Sequence, residues 1–310
     1  MKTAKNRSPR IAALVLFILL LLPCSFLFAE ITITDDAQFQ FALETMKKGD
    51  YHRSVVEFER FIHFFPEDRR IPKARLLIGV CHLEAGEFEK ARERLNSVSI
   101  EYAKTTVGGK ALLFMGESYF RQGISDEAAR YFQKVVDEYP IPSLKNPALY
   151  RLGWSNLQAN EWRNAEQTFK MVGRNSPLYP SAQDLSVRSL EGEQLPLKNP
   201  TTAGMLAIIP GLGHVYCNRY KDALVAFLLN GLFIWATVEA FDEDLPVLGG
   251  ILAFVGLGFY GGNIYSAVNA AHKHNRKVRN DFRKGLPDKF DLGLFTTRQG
   301  HIGLALRVTF

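Results

Sequence analysis

Residues 47–66 read KKGDYHRSVVEFERFIHFFP, and the same design returns as EAGEFEKARERLNSVSIEYA at 84–103, RQGISDEAARYFQKVVDEYP at 121–140 and QANEWRNAEQTFKMVGRNSP at 158–177. Gly49, Gly86, Gly123 and Asn160 hold one position in this design, at a constant step of 37 residues (49 to 86, 86 to 123, 123 to 160). A fixed period of that size marks stacked supersecondary units, each too small to bury its own apolar face. Every unit holds two stretches of helical period, joined where Gly or Asn can take the left-handed conformation that ends a helix. A mainly α stack of four helical hairpins is therefore expected over residues 35–180.

Working outward from the turns, the first helix of each unit carries a small residue, Ala42, Gly79, Gly116 or Gly153, that lets another helix approach. In the second helix Ser54, Ala91, Ala128 and Ala165 each precede a large apolar residue by four positions: Phe58, Leu95, Phe132 and Phe169. The units tend to close on proline, at Pro66, Pro140 and Pro177, with Ala103 in that place in the second unit.

These residues resemble the tetratricopeptide repeat, whose period is about 34 residues. The slightly longer helix pairs make the chain similar to the envelope tetratricopeptide proteins of Gram-negative bacteria. Ala103 departs from the pattern, as does Ser125, which stands where a bulky residue comes after the turn. The resemblance implies a scaffold that binds a peptide or a partner protein on a concave face lined by first helices. Carried onto this sequence, the groove positions are Phe39 and Leu43, Leu76 and Val80, Leu113 and Glu117, and Tyr150 and Trp154. If open, so apolar a groove suits an amphipathic helix or an extended peptide. The other reading has the same side chains buried against the neighbouring hairpin.

After the polar linker at 181–200 the composition changes, and residues 201–284 read as a membrane domain. Residues 222–241 and 246–270 each have the length and apolarity of a bilayer span and are joined by an acidic turn. Basic residues from Lys273 to Lys284 come after the second span, and Arg219 and Lys221 precede the first, so the positive-inside rule sets both ends of this hairpin in the cytoplasm. Exported repeats then require 201–216, a short segment interrupted by Pro210, to cross as well. Three crossings are preferred, with two crossings and an interfacial segment as the rival. Gly250, Gly258 and Gly262 are expected to let helices pack closely, and Asn230 and Asn263 to hydrogen-bond across helices. The segment PGLGHVYCNRYKDALVAFLLNG at 210–231, with GGNIYSAVNAAHKHNR at 261–276, resembles a small bacterial membrane domain of unknown function that often accompanies tetratricopeptide repeats.

The N-terminus has a basic head, MKTAKNRSPR, and an apolar run, IAALVLFILLLLP, so 1–29 reads as a signal peptide cleaved after Ala29 or as an uncleaved anchor. Pro23 before Cys24 argues against a lipoprotein, and Cys81 and Cys217 lie too far apart in pattern to suggest a disulfide framework. The formal charge of +6 gathers beside apolar segments rather than on a globular face, which argues against nucleic acid as a partner. PGLGHVY lacks the Gly-Lys-Ser/Thr ending of a phosphate loop, so no nucleotide is expected, and its glycines read as turn and close-approach residues. His214 and Cys217 have ligand-like spacing, but His272 or His274 would have to complete a metal site; no metal or other cofactor is expected. Residues 285–310 alternate in hydropathy and read as a β-hairpin.

The sequence thus points to a non-enzymatic scaffold at the bacterial inner membrane, its repeats in the periplasm. Its expected partners are an envelope protein or peptide and the lipid bilayer. The alternative is a component of membrane transport or membrane-protein biogenesis, in which residues 201–284 carry the function and the repeats regulate it.

Overall fold

The computed structural model describes residues 33–288, 290–296 and 302–308, the last two stretches as backbone alone. The leader at 1–29, with Ala29 and Cys24, lies outside the described residues. Eight helices form the four expected hairpins: α1 (Asp35–Lys47) with α2 (Tyr51–Phe64), α3 (Ile71–Glu84) with α4 (Phe88–Glu101), α5 (Thr106–Arg121) with α6 (Ser125–Glu138), and α7 (Pro142–Ala159) with α8 (Trp162–Lys170). Side-chain oxygens open three of them, from Thr34 to the Ala37 amide, Asp50 to the Arg53 amide and Thr105 to the Gly108 amide. Each hairpin turns at the residue read from the period. Gly49, Gly86 and Gly123 have φ of +81°, +76° and +75°, and Asn160 has +65°.

In the second, third and fourth units the small residue and the large one meet. A methyl group built on Gly79 would lie 2.7 Å from Leu95, and one on Gly116 or Gly153 would lie 2.6 Å from Phe132 or Phe169. Bringing the backbone this close lets the large side chain seat fully between the two helices, and Phe58, Leu95, Phe132 and Phe169 are all fully buried. A further helix, α9 (Tyr179–Glu191), caps the stack; its Ser181 hydroxyl lies 2.9 Å from the Tyr150 hydroxyl.

Beyond a short 3₁₀ turn and the linker, α10 (Pro200–Leu206) and α11 (Leu212–Tyr216) lead into two long helices, α12 (Tyr220–Asp242) and α13 (Pro246–Lys284). Both long helices are apolar and long enough to cross a membrane, and only 11% of each apolar window is buried. Phe254, Val247 and Leu257 are 80%, 77% and 69% exposed, a surface that water would not tolerate but lipid would. At 39 residues α13 is about 58 Å long, nearly twice the hydrocarbon thickness of a bilayer. Its far end therefore projects beyond any bilayer the hairpin spans, and it reaches the repeats.

The segment between linker and α12 doubles back on itself. Lys198 exchanges two hydrogen bonds with Asn275 (2.7 and 2.8 Å), Ile208 accepts one from the Tyr260 hydroxyl (2.8 Å), and Cys217 is back at the level of Ala267. The chain thus runs down α13 by four turns, reverses at Pro210-Gly211 and returns. Gly211 has φ of +88° and lies against the Ala223 carbonyl, and a methyl group on Gly213 would lie 2.2 Å from the Ala203 carbonyl, so these glycines serve the turn and the close approach. After α13, β1 (Phe290–Thr296) pairs antiparallel with β2 (Ile302–Val308), Phe290 opposite Val308 and Thr296 opposite Ile302, as the alternating tail leads one to expect.

Candidate functional site

The inner face of the repeats is covered. In α5 every residue from Ala111 to Ser118 is buried, and in α7 every residue from Pro147 to Leu157. A helix buried through consecutive positions has neighbours on all sides, not only from its hairpin partner. All eight groove positions are buried, Phe39 and Leu43 on the one buried face of α1 and the others within longer buried runs, which favours the reading in which these side chains pack inside the stack over that of an open groove. Phe39 lies edge-on to Phe58 and Phe61, and Leu43, Leu76, Val80 and Leu113 belong to the same core. Tyr150 is edge-on to Phe169 with its hydroxyl at Ser181, and Trp154 is 6% exposed.

Part of the cover comes from the chain's own C-terminal segment. Phe282 stacks edge-on against Trp162 at 5.6 Å, and Arg283 donates to the carbonyls of Leu157 and Gln158 at the end of α7. Leu286 is 5% exposed within the repeat core, and Arg188 donates to the Gly285 carbonyl at 3.1 Å. At the opposite end of the stack β2 comes up against α1. The tail thus meets the fourth repeat where it leaves α13 and the first repeat where it ends.

A buried ion network anchors this arrangement. Glu117, 2% exposed, accepts from Arg121 at 3.0 Å and pairs with Arg151 at 2.9 Å; Arg151 in turn binds the Asp288 carboxylate of the tail at 2.9 Å. Arg121 also bridges to Glu84 of the second repeat. Burial alone would pull the Arg121 guanidinium down, but Glu117 and Glu84 outweigh it and hold its pKa above the ordinary value. One chain of charges therefore links two repeats, a third through Arg151, and the tail.

In the apolar C-terminal hairpin the residues divide differently from expectation. A side chain at Gly250, Gly258 or Gly262 would meet nothing within 4 Å, so these glycines do not mediate helix contact. The close approaches are at Gly249 and Gly256, where an added methyl group would lie 2.9 Å from Phe241 and 3.2 Å from Phe233. The apolar run signals glycine-rich contact, but only the rotation of α13 selects which glycines face α12. Asn263 does bond across elements, to the Ala207 carbonyl (2.7 Å) and the Gly211 amide (3.3 Å), and so satisfies the broken backbone of the turn. Asn230 instead donates to Ala226 of its own helix at 2.8 Å. His214 is buried with Nε2 3.0 Å from the Ser266 hydroxyl, and His274 faces the Pro196 carbonyl. Among the described residues no group of three or more His, Cys, Asp or Glu is placed to hold a metal ion.

Arg151, Leu286 and Asp288 were not legible as site residues. Arg151 reads as an ordinary surface position of a first helix, and its partner lies 137 residues away.

Compared with known proteins, residues 73–105, 110–140 and 147–178 match the family profile described as tetratricopeptide repeat. The chain therefore carries tetratricopeptide repeats, and the match coincides with the second, third and fourth hairpins. Among solved structures, one similar chain is a kinesin light chain with nearly identical TPR-like repeats from Podospora anserina, at 13% identity and a TM-score of 0.43, with 51% of this chain and 86% of that chain covered. A tetratricopeptide repeat protein from Parabacteroides merdae is 15% identical over 81% of this chain and 97% of its own, with a TM-score of 0.41. The protein pilF of Pseudomonas aeruginosa is 15% identical over 78% of this chain and 97% of its own, also with a TM-score of 0.41. No curated protein matches the chain.

Proposed function

We propose that this chain is a membrane-anchored, non-enzymatic scaffold of the bacterial envelope that receives an envelope protein or peptide on the inner face of its repeats, in place of its own tail. The tetratricopeptide repeat is a protein-interaction module, and the observation that carries the reading is the contact between tail and inner face. Leu286 and the Asp288–Arg151 pair fill positions that a bound peptide would use.

We further infer two membrane crossings, α12 and α13, with 200–217 entering and returning on one side. The repeats, the linker and the basic end of α13 then share a compartment. The leader directs export of the repeats, and an early hydrophobic segment dominates orientation over later loop charge, so we assign that compartment to the periplasm and the turn at 242–244 to the cytoplasm. This assignment reverses the hairpin relative to the charge rule.

The test is to loosen the tail without touching the repeats, by Asp288→Lys, which sets like charges at Arg151. Crosslinking in intact cells should then capture the same envelope protein as the natural chain does, in higher yield. A folded, membrane-bound variant that captures nothing above a control lacking the repeats would refute the reading.

A further inference from the structure

Gly258 and Gly262 leave open space where helix contact is expected, and that space belongs to a cleft of about 440 Å³ between α11, α12 and α13. The cleft exists because α12 and α13 are closest near their turn, at Gly249 and Gly256, while the returning segment wedges them apart at the other end. Its lining changes character with depth. At the basic end of α13 it is bordered by Arg219, Asp222 and Lys273; deeper it has His214 and Ser266, and towards mid-helix it is walled by Val225, Leu229 and Phe259 over the bare glycines, with Asn230 and Asn263 beside them, their amides committed to the Ala226 and Ala207 carbonyls. From Lys273 to Gly258 is about 22 Å along the helix, the depth of one leaflet with its headgroups.

Two polar groups here have unmet capacity. His214 is 2% exposed with Nε2 at Ser266, and its Nδ1 has no partner among the described residues. Lys273 has no ion-pair partner among the described residues, whereas Arg219 is paired with Asp222. Two cations and one carboxylate leave the mouth of the cleft with an excess positive charge.

We propose that this cleft holds one anionic glycerophospholipid: its phosphate lies between Arg219, Lys273 and His214, and an acyl chain lies along the floor made by Gly258 and Gly262. The charge at the mouth selects the headgroup, and the missing side chains make the slot for the chain. The inference rests on the membrane reading above but does not depend on what the repeats bind.

The experiment is native mass spectrometry of the full chain in mixed micelles holding equal amounts of phosphatidylglycerol and phosphatidylcholine. One phosphatidylglycerol should be retained per chain, in preference to phosphatidylcholine. Arg219→Gln with Lys273→Gln should cut that preference about tenfold, as expected for one charge-assisted contact. Gly258→Leu with Gly262→Leu should abolish retention of either lipid, while Gly250→Leu, equally open but outside the cleft, should retain it. Equal retention of both lipids, or unchanged retention with the leucines in place, would overturn the site; so would displacement of the lipid by inorganic phosphate, which would mean a free-anion site. Extraction of the chain by alkaline carbonate would remove the membrane reading and this site together, whereas a carbonate-resistant chain that retains no lipid removes the site alone.

Discussion

At the scale of single residues, burial decides which groups can react and which can titrate. Cys81 is fully enclosed in α3, and burial pushes its thiol up to about 12 against a smaller opposing hydrogen bond from Ser54. In the folded chain at mildly alkaline pH, iodoacetamide should therefore leave Cys81 untouched until denaturant is added. Peptide mapping that found rapid modification under native conditions would show that the second hairpin opens. Glu87, at the second turn, behaves oppositely. Lys90 and then His82 stabilise its carboxylate and lower its pKa from 4.5 to about 2. A carboxylate with a depressed folded pKa stabilises the protein above its unfolded value, and that contribution disappears as pH falls through the folded one. Urea midpoints should therefore drop between pH 4.5 and about 2 less steeply in Glu87→Gln than in the natural chain; parallel acid limbs would sink this assignment.

Within one helical hairpin, two glycines are needed for different reasons, and substitutions can separate them. Gly116 is a contact residue, its space filled by the Phe132 ring, so Gly116→Ala overpacks the pair and should cost about 1–3 kcal/mol. Gly123 has open space around it but a φ of +75°, so Gly123→Ala should cost about 1–2 kcal/mol through the backbone alone. The rescues differ accordingly. Phe132→Leu should recover part of the first loss and none of the second, while Gly123→Asn should be milder than Gly123→Ala, because Asn160 already fills that role in the fourth hairpin. Chemical denaturation of these variants checks both, and a Phe132→Leu rescue of Gly123→Ala would contradict the division.

For the whole molecule the consequence is topological. On the proposed two-span topology, a helix that begins in the apolar hairpin and sets Phe282, with Leu286 just beyond its end, against the repeats places the repeats and the end of α13 on one side of the membrane. With cysteines introduced one at a time in a chain lacking Cys24, Cys81 and Cys217, a membrane-impermeant maleimide applied to intact cells should label positions 193 and 284 alike and spare 243. Labelling 284 but not 193, or the reverse, would mean an odd number of crossings between them and would break the returning segment. Labelling 243 alone would keep the even count and move the repeats to the cytoplasm.

The sequence by itself determined the hairpins, their turns at Gly49, Gly86, Gly123 and Asn160, the positions of the small and large residues in each unit and the two apolar helices. All of these arise from interactions within one period of the chain, and periodicity records which face of an element is apolar. It does not record what covers that face. Tertiary structure alone decided between an open and a closed inner face: Phe39 is closed by Phe58 and Phe61 of its own unit, whereas the fourth repeat is covered in part by a segment more than a hundred residues away, held through Arg151 and Asp288. It also decided that 201–216 doubles back along α13, through Asn263 and Tyr260 of that helix. The same holds for the glycines of α13: the helix is legible from composition, but its rotation, and with it the choice of Gly249 and Gly256 over Gly258 and Gly262, is set by the phenylalanines of α12 that face it.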